Sequence, residues 1–190
     1  IRYLRQNLNA LLERIALREG DRDAAAQIAR ECEPEGMLLT LITDRYAFMT
    51  KARRLLAEGQ TEEAVTLLGI MRDYFERYYR PQGVIEANLL MAVAHHRMRD
   101  QEAERCLTLA LTSARRYGLI QLIADEGAAI LPLLESQSIA AEDSWLQKVL
   151  TATREQAVFY PHYLDTANAA GSIELKAVEW KILHLLAEGL

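Results

Sequence analysis

Apolar side chains recur every three or four positions along most of the chain, with polar and charged residues between them. The first eighteen residues show the pattern well, with apolar side chains at Tyr3, Leu4, Leu8, Leu11, Leu12 and Ile15. This spacing places the apolar side chains on one face of an α-helix. Similar spacing recurs almost to residue 190, and the chain has only 4 prolines. We therefore predict an all-α protein.

A helix, a tight turn and a second helix are predicted for residues 52–68, which read ARRLLAEGQTEEAVTLL. Gly59 suits the left-handed position that follows a helix end. Thr61 and the two glutamates after it suit the start of the second helix, where the helix dipole favours negative charge. Residues 16–29 and 94–107 have the same order of apolar and polar positions. A block that repeats at about 40 residues predicts an array of stacked helical hairpins.

Small residues mark where the two helices of each hairpin approach each other. Ala25, Ala64 and Ala103 are spaced 39 residues apart and occupy the same position in the three blocks. We expect these alanines at the helix crossings. The predicted hairpins comprise residues 1–18 with 24–32, 37–57 with 61–79, and 84–98 with 101–117.

The pattern changes after residue 118. We predict a short helix ending near residue 124, another over residues 128–135, and a helix capped by Asp143 or Ser144 that ends near residue 160. Its apolar face would carry Trp145, Leu146, Val149, Leu150 and Phe159. Residues 161–173 lose the helical spacing and are predicted to form a linker, and residues 174–188 are predicted to form a last helix. The chain is thus divided into an array (1–160), a linker (161–173) and a C-terminal segment (174–190).

Composition limits the classes of function. Hydrophobic residues make up 51% of the chain, enough for a core, and the formal net charge of −5 lacks the basic excess typical of nucleic-acid binding. No apolar run reaches the length of a membrane span. The 2 cysteines are too few for a disulfide framework, so we predict a cytoplasmic protein with reduced thiols. The first residue is Ile1 rather than methionine, and we expect a piece of a longer protein.

Two stretches resemble the large ATP-dependent LuxR-type (MalT-like) transcriptional activators. Residues 52–135 resemble the tetratricopeptide-like effector region, through LLAEGQTEEAVTLL, IEANLLMAVAHHRMRDQEAERCLTLALTSA and the DEG at residues 125–127. Residues 174–190, ELKAVEWKILHLLAEGL, resemble the opening helix of the LuxR-type DNA-binding domain. Val178 and Lys176 depart from that pattern, where the family usually has arginine and threonine.

The resemblance implies a function in transcription regulation. It implies a right-handed superhelical array that binds a small-molecule inducer or a regulatory protein and controls self-association of the larger protein. DNA binding would require the helix-turn-helix domain that continues beyond residue 190. No cofactor is expected in this chain, which has no phosphate-binding G-x-x-x-x-G-K-[ST] motif. ATP is expected in an N-terminal module of the parent protein.

In arrays of this kind the first helix of each hairpin lines the concave face, so its polar residues are the candidate effector-binding groups. They are Arg45, Arg53, Arg54, Glu86, Asn88, His95 and His96. An arginine-rich groove suits an anionic metabolite or an acidic peptide. A dense aromatic cluster lies at residues 74–79, where Tyr74 with Tyr78 and Phe75 with Tyr79 share helix faces. One of these pairs is expected to be core.

Metal binding and catalysis have little support in the sequence. His95 and His96 are adjacent rather than spaced by four, so they point in different directions on a helix. No Cys-x-x-Cys and no nucleophile motif is present, and we predict no metal site and no enzyme activity. The alternative function is a general protein–protein interaction scaffold, in which residues 174–190 form only a capping helix.

Overall fold

The computed structural model describes residues 2–32, 41–137 and 143–165, and within them it contains nine α-helices and no β-strand. The all-α fold of helical hairpins predicted from the sequence is confirmed. The helices are α1 (Arg2–Glu19), α2 (Arg22–Cys32), α3 (Leu41–Ala57), α4 (Thr61–Arg77), α5 (Pro81–Arg97), α6 (Glu102–Tyr117), α7 (Ile120–Ala124), α8 (Gly127–Glu135) and α9 (Ser144–Phe159).

Most helices pack against a neighbour in sequence, whereas α3 packs mainly on α1 and α7 mainly on α9. The pairs α1 with α2, α3 with α4, and α5 with α6 form three hairpins, and α1 also packs on α3 while α4 packs on α5. Helix α5 lies at the centre, since α3, α4, α6, α7 and α8 all contact it. Nine of the ten residues at positions 85–94 of α5 are buried, and Glu86 is the exception. This explains why its sequence lacks a polar face.

The turns follow the predicted chemistry. Gly59 has a φ of 80°, and its amide bonds the carbonyl of Leu56, which closes the end of α3. The turn after α5 has no glycine, and Arg99 adopts the left-handed conformation there with a φ of 58°. The alanines predicted at the helix crossings are buried, with Ala25, Ala64 and Ala103 exposed by 1%, 0% and 9%.

Helix α5 begins earlier than predicted. The predicted helix begins at residue 84, after the proline–glycine pair Pro81 and Gly83, but Pro81 is the first residue of α5. Proline is favoured at this position because its fixed φ suits a helix and its missing N–H has no helical partner there. Gly83 lies within the first turn, where a Cβ atom would come within 2.5 Å of the Phe75 ring.

The last described helix, α9, begins at its predicted cap and packs on α7 and α8. Asp143 caps α9 by accepting a hydrogen bond from the Leu146 amide at 3.0 Å, as predicted. Val149 and Leu150 are buried, but Phe159 is 73% exposed, so the predicted apolar face stops short of that residue because α9 ends there. The predicted last helix, residues 174–188, lies outside the described residues.

A leucine at position 64 tests the helix crossing. Ala64 is fully buried between α4 and its neighbours, so Ala64→Leu should overpack the crossing and lower the free energy of unfolding by about 1–3 kcal/mol. Thr66→Leu, on the exposed face of the same helix, should change it by less than about 0.5 kcal/mol. Urea denaturation of both variants measures the difference, and equal stabilities would contradict the assigned register.

Candidate functional site

A fully buried arginine organises the middle of the array. The Arg53 side chain on α3 has no exposed surface. Its Nη2 donates to Glu86 Oε1 at 2.7 Å and to Glu126 Oε1, and its Nε donates to the Tyr163 hydroxyl at 2.9 Å. The Tyr163 hydroxyl in turn donates to Glu126 Oε2 at 2.8 Å. We call Arg53, Glu86, Glu126, Tyr163 and the nearby Arg14 the buried polar cluster.

Arg14 brings a second positive charge to this cluster from α1. Its Nη2 lies 3.6 Å from Glu126 Oε1, and its Nη1 lies 4.0 Å from Glu86 Oε1. Its guanidinium also lies over the Tyr46 ring, 5.9 Å from the ring centroid. Two arginines thus face two carboxylates, and the cluster is balanced in charge. A buried charge without such a partner would cost several kcal/mol.

The cluster shifts the proton affinities of its members. Burial by itself would raise the pKa of Glu126, but the Arg53 and Arg14 charges and the hydrogen bonds outweigh it and hold that pKa below its ordinary value. Burial would lower the pKa of Arg53, whereas Glu126, Tyr163 and Glu86 raise it well above its ordinary value. Burial and the Glu126 charge raise the pKa of Tyr163. Glu126 is therefore ionised and Tyr163 neutral at pH 7.

The residues after α9 lie across the hairpins and are tied to them at several points. Tyr163 and Leu164 are exposed by only 2% and 1%. Arg97 donates to the Leu164 carbonyl and Arg22 donates to the Asp165 carbonyl, so two helices bind the main chain of this segment. We call residues 160–165 the strap. It contains the first five residues of the predicted linker, 161–165, and the rest of that linker lies outside the described residues.

The start of the strap contacts the first hairpin. The Arg18 guanidinium lies over the Tyr160 ring, 5.2 Å from its centroid, and Arg18 also pairs with Asp125 at 3.2 Å. Gly20 ends α1 with a φ of 77°, and a Cβ atom at this position would lie 3.3 Å from the Cβ of His162. A glycine at this turn therefore allows both the left-handed backbone and the close approach of the strap.

An open cleft of about 580 Å³ lies beside the cluster. Residues from α3, from the end of α4 through its following turn to the start of α5, and from the end of α6 and its following turn line it: Arg45, Tyr46, Met49, Phe75, Tyr79, Arg80, Pro81, Gln82, Gly83, Glu86, Tyr117 and Leu119. We refer to it as the cleft. A second depression of about 410 Å³ shares Phe75, Tyr79 and Arg80 with it and adds Arg116. Residues of the turn between α4 and α5 line both depressions.

This turn separates two aromatic residues that were predicted to share a helix face. Phe75 is 2% exposed, whereas Tyr79 is 91% exposed. The expectation that one aromatic pair is core was wrong, because α4 ends at Arg77 and Tyr79 leaves the helical path. Tyr74 and Tyr78 remain in contact, with ring centroids 4.8 Å apart and ring planes tilted by 47°, and Tyr78 is 51% exposed.

The seven predicted effector-binding residues fall in different surroundings. Arg45 and Glu86 line the cleft, and Arg53 lies beneath it in the buried polar cluster. Arg54 Nε donates to Glu13 Oε1 at 2.9 Å on a neighbouring helix. Asn88 is buried, and its Nδ2 donates to the Val84 carbonyl at 2.9 Å.

The two histidines lie away from the cleft at the other end of α5. His95 Nδ1 is 2.9 Å from Asp100 Oδ2 across the following turn, and His96 is exposed. The structure thus brings Arg45, Arg53 and Glu86 to one region and places the other four residues elsewhere.

Several residues of this region were not predicted. The sequence pattern indicates Glu126 only as part of the DEG segment and Tyr163 only as part of the predicted linker. Their role depends on contacts with Arg53 across 73 and 110 residues of sequence. The one local signal was a tyrosine in a polar segment after a helix end.

No helix among residues 2–32, 41–137 and 143–165 is long and apolar enough to cross a membrane. Within the same ranges, no group of three or more His, Cys, Asp and Glu side chains is arranged to hold a metal ion.

Comparison with known proteins gives no relative. No protein-family model, no curated protein and no solved structure matches this chain. The LuxR-type resemblance therefore stays a prediction from the sequence.

Replacing Glu126 tests the buried polar cluster. Glu126→Gln leaves Arg53 and Arg14 opposite a single carboxylate, so it should lower the free energy of unfolding by roughly 3–5 kcal/mol at pH 7. Because folding depresses the Glu126 pKa, its ionic contribution is present above pH 4.5, the ordinary glutamate value, and is lost as the pH falls through the folded-state pKa. Urea titrations at several pH values should show the wild-type advantage shrinking below pH 4.5.

Glu135→Gln is the matched control. Glu135 pairs with Arg154 at 2.9 Å but is 45% exposed, so its loss should cost less than about 1 kcal/mol. If Glu126→Gln destabilised the protein no more than Glu135→Gln, the buried polar cluster would not contribute as described.

Proposed function

We propose that this chain is the effector-sensing, regulatory region of a LuxR-type transcriptional regulator. In this proposal a small-molecule inducer or a regulatory protein binds the helical array. Binding controls self-association and DNA binding of the larger protein, which would act in the cytoplasm. The chain is not an enzyme in this proposal, and ATP belongs to a separate module of the parent protein.

The observation that carries this proposal is the position of Glu86. Its carboxylate lines the cleft, and the same carboxylate accepts from Arg53 at 2.7 Å in the buried polar cluster. Arg53 also donates to Tyr163, which is part of the strap. A ligand in the cleft is thus separated from the strap by two directly bonded side chains.

In the sequence, the strap precedes residues 174–190, the segment that resembles the start of a DNA-binding domain. A sensor must change the relation between its ligand site and the part that it regulates. The contacts from Glu86 through Arg53 to Tyr163 supply such a connection within the described residues. A ligand whose affinity differs between the intact and the disrupted cluster would shift the equilibrium between these two states. The position of the strap would change with it.

The strap itself supports a second candidate function, that of a protein-binding scaffold. Arg97 donates to the main-chain carbonyl of Leu164, and Arg22 donates to that of Asp165. Every peptide has such carbonyl groups. An array that accepts its own chain in this way also suits a peptide from a partner. In this alternative residues 174–190 form only a capping helix.

The gene sequence beyond the codon for Leu190 distinguishes the two functions most simply. The regulator requires a turn and a recognition helix directly after residue 190, since both are needed to enter the major groove. A reading frame that continues with them supports the transcriptional proposal. A frame that stops there, or continues without them, contradicts the DNA-binding part and favours the scaffold.

Hydrogen exchange tests the connection between the cleft and the strap. The amides of Tyr163 and Asp165 donate to the carbonyls of Tyr160 and His162 at 3.2 and 3.1 Å, so they report on the strap. Glu86→Gln should increase exchange in residues 160–165 several-fold, because it weakens the cluster that binds Tyr163. Glu104→Gln, at an exposed position on α6, is the control and should have no effect. Unchanged exchange in Glu86→Gln would contradict the connection.

A further inference from the structure

The cleft has the size and the lining of a small-molecule site rather than of a packing defect. Its volume of about 580 Å³ lies within the range of about 300–1,000 Å³ that is typical of ligand sites. The apolar part of its wall comes from Met49, Phe75 and Leu119, and the rings of Tyr46 and Tyr117 extend it. Such a wall fits a planar or apolar molecular body.

The charged groups of the cleft favour an anion. Arg45 and Arg80 both line it, and neither guanidinium forms a hydrogen bond or ion pair within the described residues. The one carboxylate in the wall, Glu86, is neutralised by Arg53 at 2.7 Å and Arg14 at 4.0 Å. The unbalanced charge of the cleft is therefore positive.

The start of α5 adds to this positive character. Pro81, Gln82 and Gly83 form its first turn and line the cleft, and no side chain caps this end of the helix. The free N–H groups and the dipole of a 17-residue helix favour a negative group there. Gly83 allows the first turn to lie close to the Phe75 ring, because a Cβ atom at position 83 would overlap that ring.

Tyr79 has a backbone conformation that its residue type does not favour. Its φ is 52°, in the left-handed region, where bulky residues are rare and the strain costs stability. Glycine occupies the corresponding turn positions after α1 and α3, at Gly20 and Gly59. The tyrosine gains no burial in return, since it is 91% exposed. A ring kept at such a position beside a cleft suits contact with a ligand.

From these observations, and resting on the sensing function proposed above, we propose that the cleft binds a small anionic molecule with a planar, apolar body. Arg45, Arg80 and the first turn of α5 bind its carboxylate, sulfonate or phosphate group. The body packs on Phe75 and Tyr46, and the Tyr79 ring covers it from the solvent side. The ligand class that the array recognises is thus an aromatic or otherwise flat organic acid.

Two fluorescent probes that differ in one group test this ligand class. 1-Anilinonaphthalene-8-sulfonate carries the anion, and N-phenyl-1-naphthylamine is the same ring system without it. We expect the sulfonate to bind at least tenfold more tightly than the neutral amine in fluorescence titrations of the 190-residue chain. Equal affinities, or no binding of either probe, would overturn the proposal.

Variants assign the binding to the cleft. Arg45→Gln and Arg80→Gln should each weaken sulfonate binding about tenfold and leave the neutral amine unaffected. Arg77→Gln removes an exposed arginine just before the same turn, outside the cleft, and should change neither. An equal effect of Arg77→Gln and Arg80→Gln would mean that the probe binds surface charge in general, which overturns the proposal.

Tyr79→Gly separates a ligand contact from a structural role. Glycine relieves the positive φ, so the thermal midpoint should stay the same or rise. Affinity for both probes should fall about threefold, because the covering ring is lost. A variant that binds both probes as tightly as the wild type would contradict the assigned role of Tyr79.

Hydrogen exchange in the presence of the sulfonate distinguishes this inference from the sensing function. If the sulfonate binds through Arg45 and Arg80 but leaves hydrogen exchange in the strap unchanged, the ligand class is supported and the proposed sensing route is contradicted. If both probes bind with equal affinity and both change hydrogen exchange in the strap, the sensing route is supported and the anionic ligand class is overturned.

Discussion

The burial of the Arg53 guanidinium is the constraint on which the rest of the arrangement depends. A charge without exposed surface must be matched by carboxylates and acceptors on every side, and Glu86, Glu126 and the Tyr163 hydroxyl provide them. These partners come from α5, the start of α8 and the residues after α9. One buried side chain therefore determines how the middle hairpin, the C-terminal helices and the strap are placed relative to each other. The same bonding explains why a segment with a linker-like sequence is held against the helices.

The cleft results from the way the chain passes from α4 to α5. Helix α4 stops at Arg77, and α5 begins at Pro81, so the turn between them projects Tyr79 and Arg80 away from the core. Because the Phe75 ring occupies the space of a Cβ atom at Gly83, the first turn of α5 comes close to the end of α4. The result is an aromatic and basic depression that shares Glu86 with the buried polar cluster. In the proposed sensing function, Glu86 is the residue that would couple the cleft to the cluster.

Much of the array could be predicted because its information is local. Periodic leucines and alanines, the glycine turns at Gly20 and Gly59, and the Asp143 cap each act over a few residues, and the structure has them where the sequence indicated. The start of α5 was misplaced because a proline–glycine pair also suits a break between helices. The buried polar cluster could not be predicted, since a single sequence does not show that Arg53 contacts Tyr163, 110 positions later. Likewise the cleft combines residues of four segments, and only Arg45 and Glu86 among its members had been selected as candidates.

We expect the buried polar cluster to hold the strap and the helical array together as one unit. A double-mutant cycle of Tyr163→Phe and Glu126→Gln, measured by urea denaturation, tests it most directly because the two side chains are bonded at 2.8 Å. We expect the double variant to lose less stability than the sum of the single losses, with a coupling free energy of about 0.5–3 kcal/mol. Additive losses, with a coupling indistinguishable from zero, would show that Tyr163 and Glu126 stabilise the protein independently and would contradict the account.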